Sequence, residues 1–312
     1  MTNPFPAIQV KNLTRRYRDL TAVEDLTFSV KQGELFGLVG PDGAGKTTTL
    51  RMLAGVLKPT AGEAIINGVS VVDDPEQVKL DSAYMPQRFG LYTDLTVLEN
   101  LHFYADLYRV PEKERSLRME RLFQFSNLKP FKDRLAGQLS GGMKQKLGLS
   151  CALIHQPKIL LLDEPTFGVD PISRRDLWLF IHERVAQGVT VVVSTAYMDE
   201  AERFDRVAML YHGRILALDT PNSLRQSIEG DLFTVRVDRV RFAQEMALRH
   251  PGVKRVTLFG DQLHITVRSK ETDEPAIKTL FRKGGLFASD FREISPTLED
   301  VYIDRIAKAE KE

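Results

Sequence analysis

Several things this sequence lacks narrow its class at once. It has one cysteine, Cys151, among 312 residues, which excludes an internal disulfide framework and points to a reducing compartment. No apolar run approaches the ~20 residues a membrane-spanning helix needs. Neither charge is in excess: 43 Lys+Arg against 42 Asp+Glu leave a net +1. No basic field announces a nucleic-acid partner, and none is expected. The opening residues MTNPFPAIQV have neither the basic start nor the apolar stretch of a secretory signal. These absences lead to the expectation of a cytosolic protein that meets a membrane only through a partner. What is present, 43 % apolar and 27 % charged residues, is the composition of a folded chain with a real core. The length suggests about two domains.

Patterning divides the chain. Ile8–Leu13 and Val23–Val30 alternate with period two around a polar turn at Arg18-Asp19, and read as paired strands. Glu34–Val39 is a short apolar run that stops at a glycine-rich loop, and a helix is expected over Thr48–Leu57. Further short strands are expected at Gly62–Asn67 and Ala83–Met85. From about 88 to 135 the style is helical: Thr96 and Glu99 form a capping box, and Pro111 restarts a charged helix. Beyond 136, continuous apolar strands at Ile159–Leu162 and Val189–Ser194 alternate with helices, as in a parallel sheet covered on both faces. His212-Gly213 divides two short strands as a hairpin turn would. Pro221 opens a break. The segment 225–312 returns to short alternating strands with helices at about 240–249, 274–283 and 297–308. The last of these is expected to be capped by Ser295 with Pro296 at its first position.

The loop Gly40-Pro41-Asp42-Gly43-Ala44-Gly45-Lys46-Thr47 has the form G-x-x-x-x-G-K-[ST] between a strand and a helix. Glycines let backbone N–H groups wrap phosphates, and the helix N-terminus adds positive potential. Lys46 would neutralise β- and γ-phosphate charge. The Thr47 hydroxyl would ligate Mg²⁺, with Thr48 beside it. The strand Ile159–Leu162 then ends in Asp163-Glu164. The first carboxylate can hold Mg²⁺ through its water shell, and the second can orient or deprotonate an attacking water. Leu139-Ser140-Gly141-Gly142-Met143-Lys144-Gln145 opens another helix and offers a second anion site. One triphosphate does not need two such sites, so the economical reading is that this one caps a γ-phosphate held by another subunit.

With these motifs the chain, from residue 5 to about 220, resembles the ATP-binding-cassette (ABC) ATPases. The resemblance implies a P-loop α/β core with an N-terminal antiparallel β subdomain and a helical subdomain at about 88–150, together a nucleotide-binding domain over 1–222. A small C-terminal α+β domain over 225–312 follows. It implies that Tyr17 stacks on adenine and that Gln87 senses Mg²⁺ and the attacking water. Ser140 to Gln145 match the signature that acts across a dimer, and Gly168-Val169-Asp170-Pro171 match the loop crossing its interface. ATP and Mg²⁺ are the implied cofactors. Integral membrane permease subunits and a second cassette, identical or not, are the implied partners, at the cytoplasmic face of the membrane. Met85–Val97 and the tail Ser295–Tyr302 look like the ATPases of ABC-2-type exporters, the daunorubicin-resistance and multidrug-efflux kind. They are most like the first cassette of a tandem-cassette exporter ATPase.

Two positions depart from that family. Asp42 stands where Asn is usual, a mildly repulsive change expected to be tolerated. Ser194-Thr195-Ala196-Tyr197 has Ala196 where the family has the histidine that contacts the γ-phosphate, and a methyl group can neither donate nor accept a hydrogen bond. Two readings stay open: Glu164 suffices with slower hydrolysis, or this cassette's own site is impaired and its signature serves a partner that keeps the histidine. Phe89, Leu91 and Tyr92 either dock a membrane subunit or pack within the helical subdomain. Trp178 and Cys151 are expected in the core. Arg174 and Arg175 are expected to be solvated or paired across a dimer. Residues 225–312 show no ligand-spaced cluster and suggest a dimer-stabilising or regulatory module.

Overall fold

The Arg18-Asp19 turn folds β1 (Ile8–Tyr17) back on β2 (Leu20–Val30) as an antiparallel pair with Tyr17 opposite Leu20. In this computed structural model, which describes residues 5–87 and 90–310, that hairpin belongs to the first of two units, Met1–Leu218 and Asp219–Glu312. The first unit continues with β3 (Leu35–Val39), α1 (Lys46–Leu53), β4 (Ala61–Ile66), β5 (Val69–Ser70), α2 (Pro75–Asp81) and β6 (Ser82–Met85). Three longer helices follow, α3 (Val97–Leu107), α4 (Glu112–Ser126) and α5 (Gly141–Leu153). The chain then returns to the sheet with β7 (Ile159–Asp163), α6 (Pro171–Ala186), β8 (Thr190–Thr195), α7 (Met198–Ala201), β9 (Arg206–Tyr211) and β10 (Arg214–Asp219).

Two sheets result. A four-stranded one runs β2-β1-β4-β5, and a six-stranded one runs β10-β9-β3-β8-β7-β6. The inner pairs of the larger sheet are parallel, and β3 and β7 are buried at every position. That follows from their Leu, Ile, Phe and Val content, broken only by Gly37 and by Asp163 at the end of β7, which suits strands covered on both faces. Trp178 and Cys151 lie in this core.

The helical stretch is built from its caps. The Thr96 hydroxyl accepts the Glu99 N–H at 3.1 Å, and the Glu99 carboxylate accepts the Thr96 N–H at 2.7 Å. Buried Asn100 ties down the preceding loop. Its amide donates to the Tyr92, Leu95 and Thr96 carbonyls, and its side-chain oxygen accepts the Tyr92 N–H.

In the second unit, α8 (Pro221–Gln226), β11 (Asp231–Val237), α9 (Val240–Leu248), β12 (Val253–Phe259), β13 (Gln262–Val267), α10 (Lys270–Lys283), β14 (Ala288–Glu293) and α11 (Leu298–Ala309) follow in order. The sheet runs β12-β13-β11-β14. Phe233, Val235, Ile265 and Val267 form one core with Ala243, Ala247, Ile277 and Phe281 of α9 and α10. Helix α11 adds polar contacts to the sheet, Asp300 with His264 at 2.9 Å and Asp304 with Arg255.

Three expectations change. Pro221 does not merely break the chain but opens α8, capped by Thr220. The last helix is capped by Thr297, not Ser295, because Thr297 and Asp300 close a full capping box two residues later. Strand β14 and helix α2 were not expected at all. Strand β14 carries only Ala288 and Phe291 as apolar residues among four polar ones, and α2 is a single Asp74-capped pair of turns.

Candidate functional site

Helix α1 begins at Lys46, and its N-cap is Gly45 at φ +101° with no side-chain cap. Only glycine suits this position. A Cβ there would be strained and would sit 2.7 Å from the Ala22 carbonyl. The first-turn amides therefore have no capping side chain and are available to an anion. Lys46 is buried at 4 % exposure, and its ammonium is fully engaged. It donates to the Gly40 carbonyl at 2.7 Å and the Pro41 carbonyl at 3.0 Å, and pairs with Glu164 at 3.1 Å.

The two carboxylates at the end of β7 are held differently. Asp163, 1 % exposed, accepts on Oδ1 from the Thr47 hydroxyl at 3.0 Å and the Ser194 hydroxyl at 2.6 Å, and on Oδ2 from the Tyr84 hydroxyl at 3.3 Å. Burial, with Asp163 alongside, pushes the Tyr84 phenol up to about 12, so it is a proton donor at neutral pH. Glu164 adopts φ +48°, the left-handed region that non-glycine residues rarely occupy. Its N–H is anchored by the Ser194 carbonyl and hydroxyl, both at 3.1 Å, and its carboxylate accepts the Gln87 amide at 3.1 Å. A strained backbone fixed this firmly aims one side chain.

A cavity of about 380 Å³ opens over these groups. Its lining runs from Tyr17 and Leu20 through Asp42–Thr48 to Gln87 and Glu164. The Tyr17 ring carries the Arg15 guanidinium on one face at 4.5 Å. Asp42 lies exposed at the rim. His212, absent from the sequence-derived set, also lines the cavity. Its turn is pinned to the phosphate loop by the Gly213 N–H donating to the Ala44 carbonyl at 3.1 Å. The signal in the sequence was the His-Gly pair itself, but a turn does not say what it will fold against.

The remaining candidates assemble elsewhere. Ser140 caps α5, accepting the Met143 N–H at 3.3 Å. Gly142 packs so closely on the start of α6 that a Cβ would meet Ser173 Oγ at 2.8 Å. Asp170 caps α6, accepting from Ile172 and Ser173, and the Ser173 N–H and hydroxyl hold its carboxyl below the usual carboxylate range. Gln145 and Gly141 line a separate cavity of about 260 Å³ with Gln87 and Leu91. None of Ser140, Gly141, Gly142, Gln145 and Asp170 lines the phosphate-loop cavity.

Beyond β8 the polar groups turn inward. The Thr195 hydroxyl donates to buried Glu200 at 2.7 Å and accepts the Tyr197 N–H at 3.0 Å. Arg174 lies 3.8 Å from Glu200 and over the Tyr197 ring, so it is not simply solvated. Arg175 is exposed beside Asp176. Tyr92 packs on Phe103 with centroids 4.4 Å apart. The Tyr104 hydroxyl donates to the Gly90 carbonyl at 2.9 Å, so these aromatic residues of α3 are engaged in local packing. Phe89 lies outside the described residues.

A glycine-capped phosphate loop beside a strand ending in two carboxylates defines a P-loop nucleoside-triphosphatase core. Comparison with known proteins narrows that class. The ABC transporter family model matches residues 23–167, and a model of the C-terminal domain of DrrA1-3-like ATP-binding proteins matches residues 220–306. The probable multidrug ABC transporter ATP-binding protein YbhF of Escherichia coli (strain K12) is 42 % identical over 306 residues, covering 97 % of this chain and 52 % of YbhF. The chain thus spans about half the length of that relative. Nod factor export ATP-binding protein I of Ralstonia nicotianae is 33 % identical over 300 residues, covering 96 % of this chain and 93 % of the relative. A solved ATP-binding subunit of an ABC transporter superposes with TM-score 0.66 at 34 % identity, over 70 % of this chain and 92 % of that one. The dimeric post-hydrolysis cassette MJ0796, bound to ADP and Pi, gives TM-score 0.63 at 28 % identity, over 68 % and 98 %. The chain belongs to the ABC transporter ATPase family.

Proposed function

We propose that this chain binds and hydrolyses ATP to energise an ABC-2-type membrane exporter for drugs, other lipophilic compounds or ions. Residues 1–222 serve as the nucleotide-binding domain, and 225–312 as a dimer-stabilising or regulatory module. The observation that carries the reading is the convergence of Lys46, Thr47, Gln87 and Glu164 on one phosphate-loop cavity, with Asp163 buried behind Thr47 and bonded to it. Tyr17 offers a ring face for adenine. Residues Gly43 to Thr48 hold phosphates. Lys46 exchanges its bonds to Gly40, Pro41 and Glu164 for phosphate oxygens. Released from Lys46, Glu164 accepts the proton of the attacking water while Gln87 orients it.

The donors near Thr47 are hard oxygens: a hydroxyl, the Asp163 carboxylate and the Gln87 amide oxygen. Among the described residues no cluster of three His, Cys, Asp or Glu forms a cage. That set suits Mg²⁺, which keeps waters and shares ligands with phosphate. When bound, Mg²⁺ would neutralise charge on the β- and γ-phosphates.

The signature residues Ser140, Gly141, Gly142 and Gln145, with Asp170, lie away from the cavity, which fits a role on a neighbouring cassette's nucleotide. Among the described residues no helix is long and apolar enough to cross a membrane. The proposed place of work is the cytoplasmic face of the membrane, through permease subunits. Exposed Tyr92 and Leu107 support docking beside Gln87. No nucleic-acid role is invoked. Co-purification of a polytopic membrane protein from detergent-solubilised membranes, with MgATP turnover lost in Glu164→Gln, is the expected outcome. A chain that stays monomeric with MgATP beside its cognate cassette and permease removes the reading.

A second reading rests on Ala196. The loop after β8 spends its polar groups on Glu200, and Ala196 contributes a methyl, so this cassette's own site is impaired and pairs with one that retains the histidine. Vigorous turnover by the purified chain alone, unchanged in Ala196→His, would remove it.

A further inference from the structure

Tyr84 had no role in the sequence, yet it is one of three hydroxyls on a single buried carboxylate. Thr47 and Ser194 both donate to Oδ1 of Asp163, at 3.0 and 2.6 Å. Tyr84 alone among the described contacts reaches Oδ2, at 3.3 Å. The topology makes this possible. Strand β6 is the edge neighbour of β7, parallel and in register, with Tyr84 beside Leu161 and Met85 beside Leu162. A half-buried phenol one strand over can therefore span two residues to the carboxylate at the end of β7. Three residues on, the same segment supplies Gln87, whose amide holds Glu164. The two acids that end β7 are each gripped from the end of β6.

The two oxygens of a carboxylate turn together about the Cβ–Cγ bond, so a donor on Oδ2 narrows the rotation that two hydrogen bonds to Oδ1 still leave. A cation site that works through a carboxylate and its water shell needs that second oxygen fixed, because Mg²⁺ demands near-octahedral geometry. Groups that orient a metal-binding side chain are worth 10–100-fold in affinity in other sites. We propose that Tyr84 is a positioning residue for the divalent cation: its hydroxyl fixes Oδ2 of Asp163 and so sets the affinity for the metal of the metal–nucleotide complex. This rests on the assignment of Asp163 to the cation.

The test is Mn²⁺ binding to the full chain with the non-hydrolysable β,γ-imido analogue of ATP, followed by electron paramagnetic resonance. Binding of the same nucleotide in EDTA is measured in parallel. In Tyr84→Phe the Mn²⁺ affinity falls about tenfold, in keeping with a lost hydrogen bond to a charged group. Cation-free nucleotide affinity stays within about twofold. Tyr84→Leu, which loses the ring as well, shows the same cation loss even if it melts lower. Unchanged Mn²⁺ affinity in Tyr84→Phe overturns the proposal. So does a parallel loss of cation-free binding, which would mean that the phenol merely supports the pocket. An Asp163→Asn arm separates the two layers. If Asp163→Asn leaves Mn²⁺ affinity intact, the assignment of Asp163 itself has failed, whatever Tyr84→Phe does.

Discussion

Strands β7 and β8 are neighbours in register, Asp163 beside Ser194, yet they finish differently, and only β7 is followed by a residue, Glu164, that lines the phosphate-loop cavity. At the end of β7 two carboxylates are presented and every one of their oxygens is engaged, by Thr47, Ser194 and Tyr84 on Asp163 and by Lys46 and Gln87 on Glu164. At the end of β8 the Thr195 hydroxyl is turned back to Glu200 and the next side chain is a methyl. The inward bonds of Thr195 fix the loop whether or not residue 196 can touch a phosphate. Chemistry at that position is therefore separable from folding, whereas at Glu164 the reactive group and the backbone strain belong to one residue.

The largest effect comes from breaking the furnished end. Glu164→Gln should lower MgATP turnover by at least about 100-fold, the usual scale for losing a general base. The same change should tighten nucleotide binding, because Lys46 loses the charged partner that phosphate must displace. Steady-state turnover and equilibrium binding of ATP check both halves. A variant that binds less tightly would mean that the Lys46–Glu164 pair does not compete with phosphate.

Acid sensitivity of the first unit should arise at His155. His155 stacks on Tyr108 at 3.9 Å, and burial pushes its imidazole down from 6.5 to about 4. A lowered histidine contributes stability that is full above the unfolded value and is lost as pH falls toward the folded one. Going from pH 7 to 5 should therefore cost the first unit about 2 kcal/mol in the wild type and much less in His155→Phe. Denaturant unfolding followed through Trp178, the only tryptophan of the chain, reads that unit. Equal losses in both chains would place the acid effect elsewhere.

Furnishing the bare end is the next smaller step. Ala196→His should raise turnover of the chain about tenfold by adding one donor where charge develops, with the melting temperature unchanged because Thr195 and Glu200 are untouched. No gain would show that the end of β7 is sufficient.

How much of this was legible in the sequence depended on how local the signal was. The phosphate loop, the Asp163-Glu164 strand end and the Thr96–Glu99 box carry their meaning within a few residues, and the structure places them as read. Long-range partnerships were silent. Nothing near Tyr84 announces Asp163, 79 residues on, and nothing near His212 announces the phosphate loop. The cap of α11 was misplaced by two residues because Ser295-Pro296 satisfies the helix-start pattern as well as Thr297 does. The choice was made by Asp300, which closes the box with Thr297 and also reaches His264 on the sheet. Burial raises the Asp300 carboxyl, but the His264 and Thr297 bonds outweigh it and hold it below its ordinary value. No reading of the helix alone contains that partner.

The smallest effect should come from Asp42, which lines the same cavity as Glu164 and has no described bond to either strand end. It is exposed at the rim, where water screens it from bound phosphate. At about 6 Å in bulk solvent two unit charges interact by only ~0.7 kcal/mol, and salt reduces this further. Asp42→Asn should thus tighten ATP by no more than about threefold and leave turnover alone. A gain of tenfold or more, vanishing at high salt, would show that the acid points into the cavity and opposes phosphate, making the phosphate loop a second weakened element beside Ala196. A gain that survives high salt would instead implicate the loop backbone, which Asn would then be reshaping around Gly43.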